Sequence, residues 1–144
     1  MERVFISRVI RADADVVWTL LRDFNGMPDW HPAIIDSEIE HGREGDAVGC
    51  VRSFHLADGG HIRERLTALS DADRHMRYAI LESPMPVSGY DATIDVIPIT
   101  EEAASLVVWK AEFEVAAEDA AATIDTVADG VFRTGLDAVA KRLE

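Results

Sequence analysis

The stretch EDAAATIDTVADGVFRTGLDAVAKRLE, residues 118–144, decides the fold. Its apolar residues recur at three- and four-residue steps and most charged residues fall on the other side, which predicts one amphipathic helix. About 25 residues at ~1.5 Å each give a rod of roughly 37 Å, as long as a small domain is wide. Such a helix needs a large apolar partner surface. The preceding segments supply one if they form a sheet.

The apolar side of this helix combines one large aromatic residue, Phe132, with small residues at Ala128, Gly130, Gly135 and Ala138. Glycine inside a helix costs ~1 kcal/mol relative to alanine, so its presence calls for a reason. Two interpretations stay open: the small residues allow close packing of the helix on the sheet, or they leave space for a ligand between helix and sheet.

The segments before this helix have the alternation and turn signals of strands. Strands are predicted at residues 2–11, 34–41, 48–56, 61–69, 75–81, 89–97 and 105–115, and short helices at residues 13–24 and 29–32. Tight turns require antiparallel neighbours, and strands followed by a helix indicate an α+β domain. We therefore expect one domain, residues 1–144, in which a curved seven-stranded antiparallel sheet wraps around a long C-terminal helix, with two short helices after the first strand.

Composition excludes several classes of function. The 14 Lys and Arg residues against 27 Asp and Glu residues give a net charge of −13, which argues against nucleic-acid binding. No apolar run is long enough to span a bilayer, so no membrane insertion is expected. A single cysteine, Cys50, fits a reducing compartment, and the N-terminal residues lack a signal-peptide core, so we expect a cytoplasmic protein. Nothing calls for a cofactor, and either a monomer or a homodimer is compatible with the sequence.

Local patterns along nearly the whole chain carry a family resemblance. They are SRVIRADADVVW at residues 7–18, DWHP at residues 29–32, GCVR at residues 49–52 and VVWK at residues 107–110. In this order and spacing the chain resembles the START-type superfamily with the helix-grip fold. That superfamily includes pollen allergens, plant abscisic-acid receptors and bacterial proteins labelled polyketide cyclase/dehydrase, and the small bacterial proteins look most similar.

The resemblance implies a ligand pocket between the curved sheet and the long helix. The residues it assigns to ligand binding are Trp30, Glu64, Tyr78, Tyr90, Ala92, Trp109, Val127, Val131 and Gly135. It also matches residues 57–60 to the gate of the hormone receptors and residues 82–88 to their latch. The gate and latch motifs themselves are missing, and Asp36 or a neighbour stands where the receptors pair a lysine with the hormone's carboxylate. These differences argue against hormone-type recognition of an acid and against phosphatase docking.

Glu64 is the first candidate for chemistry, because it shares the alternation face of Ile62 on its predicted strand. A buried carboxylate has a raised pKa unless it is paired, and such a group suits acid, base or anchoring roles. The alternative is a structural salt bridge with Arg52, Arg63 or Arg65.

His31 is the second candidate, because histidine titrates near neutrality and it lies in the DWHP segment near the expected pocket mouth. The alternative is a surface or capping histidine. His55 and His61 flank one hairpin but have no clear third ligand, so no metal site is expected.

Three functions are compatible with this sequence. The first is binding of a small hydrophobic or aromatic ligand, such as a polyketide-, lipid- or sterol-like compound. The second is a cyclase- or dehydratase-type enzyme in which Glu64, with His31 or a tyrosine, transfers protons. The third is a partner-binding module. The first two require a cavity of several hundred Å³ between sheet and helix, and a volume below ~100 Å³ would contradict both.

Overall fold

The computed structural model describes residues 1–144. The strands are β1 (Glu2–Ile10), β2 (Ile34–Ile39), β3 (Val51–Leu56), β4 (His61–Ser70), β5 (His75–Glu82), β6 (Val87–Ile99) and β7 (Ala104–Val115). The helices are α1 (Ala14–Leu21), two 3₁₀ turns at Met27–Asp29 and Glu40–Gly42, and the long α2 at residues 117–143. The predicted α+β helix-grip architecture is therefore confirmed.

All seven strands form one antiparallel sheet in the order β1-β7-β6-β5-β4-β3-β2. The first two strands of the chain thus lie at opposite edges, and α1 packs against β6 and β7. The β4–β5 pairing shifts register between Arg63 and Glu64 and again between Leu66 and Ala68. Such bulges bend a sheet and redirect nearby side chains, and the first of them adjoins Glu64.

The predicted boundaries were wrong by several residues in β3, which begins at Val51 and not at Val48. Gly49 adopts a φ of 97°, a conformation outside the β region that glycine reaches without a steric penalty. The β3–β4 hairpin follows the prediction, because Gly59 supplies the positive φ, 94°, that the Asp58–Gly59 pair indicated.

The sequence predicted one uniform α-helix at the C-terminal end, but the long helix in the structure is not uniform. Residues Thr126–Arg133 form a π-helical segment between α-helical Ala117–Asp125 and Thr134–Leu143. The Thr134 hydroxyl donates to the Asp129 carbonyl five residues earlier at 2.7 Å. π-segments are rare and frequently occur at functional sites. No helix of the structure has the length and apolar character needed to cross a bilayer.

His31 fixes the π-segment to the loop before β2. Its Nε2–H donates to the Val131 carbonyl at 2.8 Å, and its Nδ1 accepts from the Ala33 N–H at 3.2 Å. This pair of bonds requires the neutral Nε2–H tautomer. Burial also lowers the pKa of His31, because the charged imidazolium is poorly solvated there.

Trp109, on β7, is the centre of the contact between sheet and helix. Its ring stacks on Phe132 at 4.4 Å between centroids, meets Trp30 edge-on at 6.2 Å, and donates from Nε1 to the Tyr78 hydroxyl at 3.0 Å. Trp109 and Phe132 are both fully buried. One aromatic residue therefore joins the helix, the sheet and the loop that carries Trp30.

Gly135 allows this close approach. A Cβ atom at position 135 would lie 2.8 Å from His31 Cδ2 and 3.0 Å from Trp109 Cζ3, closer than carbon atoms pack. Close packing is therefore the reason for glycine here, and the space that its missing side chain leaves is filled by His31 and Trp109. At Gly130, in contrast, the nearest atom to a Cβ is Thr126 Cγ2 at 4.0 Å.

We predict that Gly135→Ala lowers the free energy of unfolding by about 1–3 kcal/mol, because buried rings must shift to admit the methyl group. The matched Gly130→Ala variant should be more stable than the parent by up to ~1 kcal/mol, because alanine is the better helix former. Urea unfolding followed by circular dichroism measures both. Equal stabilisation by the two substitutions would contradict the packing role of Gly135.

We also predict that His31 makes stability pH-dependent. Its folded-state pKa lies below the unfolded value of about 6.5, so the unfolded chain binds the proton first. The free energy of unfolding should therefore fall as pH drops below 6.5, by up to about 1.4 kcal/mol per pH unit for one proton. His31→Gln should flatten this slope between pH 6.5 and 5. An unaltered slope in His31→Gln would contradict the assignment.

Candidate functional site

A small, mostly apolar cavity lies between the concave face of the sheet and α2, with a volume of about 80 Å³. Its walls come from β2 to β7, the loops before β2 and β6, and the π-segment. The lining residues are Met27, His31, Ala33, Ile34, Phe54, Leu56, Ile62, Glu64, Tyr78, Ile80, Met85, Tyr90, Trp109, Thr126 and Val131.

This volume is smaller than the sequence had led us to expect. Sites for drug-sized ligands measure ~300–1,000 Å³, and a cavity of ~150 Å³ holds one benzene molecule. The prediction of a ligand-sized cavity is therefore wrong: the 80 Å³ of this conformation lies below the ~100 Å³ limit, so this closed form accommodates neither a ligand nor a substrate. The reason is packing, since Trp109, Phe132 and His31 fill the space that the small residues of the helix leave.

A buried ion pair forms the polar part of the cavity region. Arg52, on β3, donates from Nε and Nη2 to Glu64 Oε1 at 2.9 and 2.7 Å, and from Nη1 to the Phe24 carbonyl at 2.8 Å. The guanidinium carbon lies 4.0 Å from the centroid of the Phe24 ring and 4.9 Å from that of Tyr78. Arg52 is only 1% exposed and Glu64 5%. The structural salt bridge considered from the sequence is present, and Arg52 is the partner.

Glu64 keeps one oxygen that Arg52 does not use. Both bonds from Arg52 end on Oε1, and Oε2 has no hydrogen-bond partner within the chain. Burial raises the pKa of Glu64, and the nearby guanidinium opposes this effect. Protonation would leave the Arg52 cation buried without a counter-charge, which costs several kcal/mol, so we assign the pair as charged. Glu64 can thus accept a hydrogen bond at Oε2.

Two tyrosines add hydroxyl groups to the same cavity wall. The Tyr78 hydroxyl accepts from Trp109 Nε1–H and has no acceptor of its own, and the Tyr90 hydroxyl has no partner within the chain. Burial, reinforced by the negative charge of Glu64, raises the pKa of both phenols. Both therefore stay protonated at neutral pH and can donate a hydrogen bond. Tyr90 is held from behind by a stacked contact with Phe113 at 5.5 Å.

The cavity approaches the surface where β3, the loop before β6 and the helix meet. Leu56 and Met85 are half-buried there and Thr126 is exposed. At Gly60, in the turn after β3, a Cβ atom would lie 3.2 Å from Leu56 Cδ1 and 3.3 Å from Pro84 Cγ. The turn after β3 and the loop before β6 therefore lie close to each other, and these are the two segments that the family resemblance matches to gate and latch.

His31 also lines the cavity, but both of its ring nitrogens are occupied by backbone groups. It has no free nitrogen with which to bind or protonate a ligand in this conformation. Its geometry suits the positioning of the helix.

The structure brings together some of the residues that the sequence assigned to ligand binding. Glu64, Tyr78, Tyr90, Trp109 and Val131 line the cavity. The other four lie elsewhere: Trp30 packs beside Trp109, Ala92 and Val127 are in the core, and Gly135 is covered by His31 and Trp109.

Sequence reasoning named Arg52, Arg63 and Arg65 as possible partners of Glu64 but did not choose among them, although a signal existed. Alternation puts Arg52 on the same side of β3 as Phe54, and it puts Arg63 and Arg65 on the side of β4 opposite Glu64. It also missed the mouth residues Leu56 and Met85, for which only the spatial meeting of two loops gives a signal. No group of three or more His, Cys, Asp or Glu side chains is arranged to hold a metal ion.

Comparisons with known proteins agree with this architecture. The family model described as polyketide cyclase / dehydrase and lipid transport matches residues 1–144. Among solved structures, XoxI from Bacillus cereus is 32% identical, with a TM-score of 0.89 over 99% of this chain and 96% of that chain. An uncharacterised Bacillus thuringiensis protein is 33% identical, with a TM-score of 0.87 over 99% and 98% of the two chains.

The Zhui aromatase/cyclase from Streptomyces sp. R1128 shares the fold at 21% identity, with a TM-score of 0.80 over 99% of this chain and 93% of that chain. No curated protein matches the chain significantly. The match over the full length is decisive: the chain belongs to the polyketide cyclase / dehydrase and lipid transport family.

Proposed function

We propose that this protein binds a small, largely apolar aromatic or polyketide-like molecule between the sheet and α2. One observation carries the proposal: an otherwise apolar cavity contains a buried carboxylate, Glu64, with one oxygen left without a partner. The tyrosine hydroxyls beside Glu64 also retain donor capacity. Family membership is compatible with this role, since the family's description names lipid transport as well as cyclases and dehydrases.

Binding in this proposal requires the cavity to widen, because about 80 Å³ is too small for such a molecule. The mouth is the part best suited to open. Leu56 ends β3 and Met85 belongs to the loop before β6, both line the cavity, and both are partly exposed. The closed conformation then represents the protein between binding events, and the ligand stabilises the open one by its differential affinity.

We predict that 2-naphthol or decan-1-ol raises Tm by about 3–6 °C at ten times its Kd, as expected for a ligand that binds only the folded chain. Val131→Phe, which fills the cavity from α2, should remove this shift. The control Ile97→Phe variant also introduces a phenylalanine, but on the exposed outer face of the sheet, and should keep the shift. Binding that is unaffected by Val131→Phe, or no shift with either compound, would contradict the proposal.

A second function is proton transfer at the carbon next to a carbonyl group. It is favoured because a carboxylate, Glu64, and two hydroxyl donors, Tyr78 and Tyr90, line the same mostly apolar cavity. Glu64 Oε2 would take a proton from the α-carbon of a ketone, and a tyrosine hydroxyl would stabilise the enolate oxygen that forms. The proton would return from Glu64 to the same carbon or go to a leaving hydroxyl. His31, whose nitrogens are engaged, has no part in this scheme.

For this function we predict accelerated deuterium exchange at the methyl group of acetophenone, followed by NMR. Glu64→Gln should reduce the protein-dependent rate about 100-fold or more, the usual effect of losing a general base, and leave acetophenone binding largely intact. Because the amide leaves Arg52 without a counter-charge, the Arg52→Met/Glu64→Gln double variant provides a second test with a neutral site. Glu82→Gln on the exposed end of β5 is the control. Exchange no faster than in buffer would remove this function and leave ligand binding standing.

A further inference from the structure

The two charged groups of the ion pair differ in what they can offer a ligand: the cation of Arg52 is fully engaged, whereas the carboxylate of Glu64 has a free oxygen. The positive charge is out of reach. All three guanidinium nitrogens of Arg52 donate to Glu64 Oε1 or to the Phe24 carbonyl, and the side chain is 2% exposed. Arg52 is not among the residues that line the cavity. A ligand carboxylate or phosphate therefore meets no free cation there.

The negative partner is available. Glu64 lines the cavity, and its Oε2 accepts nothing from the chain. An anionic ligand group beside this oxygen is repelled and loses its hydration, whereas a hydroxyl or N–H group finds a charged acceptor. Hydrogen bonds to charged groups stabilise about twice as much as those between neutral groups.

The net charge of the wall argues against a cationic ligand as well. Arg52 already neutralises Glu64 at 2.7 Å, so a ligand ammonium would enter an apolar space without a counter-charge of its own. The remaining walls are apolar or aromatic, with Phe54, Tyr78, Tyr90 and Trp109 around the acceptor. A flat ring that carries one hydroxyl satisfies both the walls and the acceptor.

We infer that the site selects uncharged aromatic molecules with a hydroxyl donor, which binds Glu64 Oε2, and rejects the corresponding carboxylic acids. This inference rests on the proposed function, because it concerns the same cavity. Glu64 acts as the specificity-determining residue, and Arg52 acts through it by holding Oε1 and leaving Oε2 free.

Three compounds that share a methylbenzene body test the inference: 4-methylphenol, toluene and 4-methylbenzoate. Kd is measured at pH 7 by NMR titration of the intact protein. We expect 4-methylphenol to bind about tenfold or more tightly than toluene, as one hydrogen bond to a charged acceptor provides. We expect 4-methylbenzoate to bind at least tenfold more weakly than 4-methylphenol.

The Arg52→Met/Glu64→Leu double variant removes both charges, and such replacements of buried ion pairs by apolar residues are commonly tolerated. It should bind toluene as well as the parent does and lose the preference for 4-methylphenol. Arg77→Met/Asp91→Leu, which removes an ion pair on the outer face, should keep the preference. Tighter binding of 4-methylbenzoate, equal binding of toluene and 4-methylphenol, or a preference that survives in Arg52→Met/Glu64→Leu would overturn the inference. Failure of all three compounds to bind would instead contradict the proposed function.

Discussion

One constraint links the sheet, the segment after α1 and the cavity, because the ion pair Arg52–Glu64 is buried among them. Two charges that leave water lose solvation worth several kcal/mol each, and only good geometry recovers it. Here the recovery comes from three parts of the chain: two bonds to Glu64, one to the carbonyl of Phe24 after α1, and the rings of Phe24 and Tyr78 beside the guanidinium. The pair therefore fixes α1, β3, β4 and β5 relative to one another. It also explains why a charged group faces an apolar cavity, because satisfying Arg52 consumes only one oxygen of its partner.

A second set of contacts seats the helix. Trp109 stacks on Phe132, His31 bonds to the π-segment at Val131, and Gly135 provides the close approach that both rings need. These contacts occupy space that a purely sequence-based argument assigned in part to a ligand. The result is a helix packed closely on the sheet near Phe132 and Gly135, and a small cavity that also borders Leu56 of β3 and Met85 of the loop before β6. The interface between the sheet and α2 is thus closely packed around Gly135, and it is closer to solvent around Leu56 and Met85.

The fold was predictable because its signals are local. Alternation along β4 to β7, the Asp58–Gly59 turn and the period of the last helix each reflect short-range geometry. The site was predictable only in part. The face of Glu64 follows from alternation, but the role of Gly135 depends on which rings meet it from 26 and 104 positions away in the sequence.

The π-segment could not be predicted from the sequence either. A widened turn hardly changes the spacing of apolar residues over the eight positions Thr126–Arg133. The periodicity of this segment therefore predicts an ordinary α-helix. The size of the cavity could not be predicted from the sequence, because volume is the small difference between the space that the backbone encloses and the side chains that fill it. Alternation along β3 indicates the face on which Arg52 lies, but its burial follows only from the contact with the Phe24 ring in the folded structure.

The closed mouth has a consequence for the timing of ligand exchange. If Leu56 and Met85 must separate before a molecule enters, then entry and escape share one barrier, and association is slower than collision. The apparent affinity for the proposed ligand then falls in proportion to the fraction of molecules in the open conformation. A molecule already inside stays bound for longer, because it leaves only when the mouth opens. In the proposed function, a bound molecule is therefore released no faster than this mouth opens.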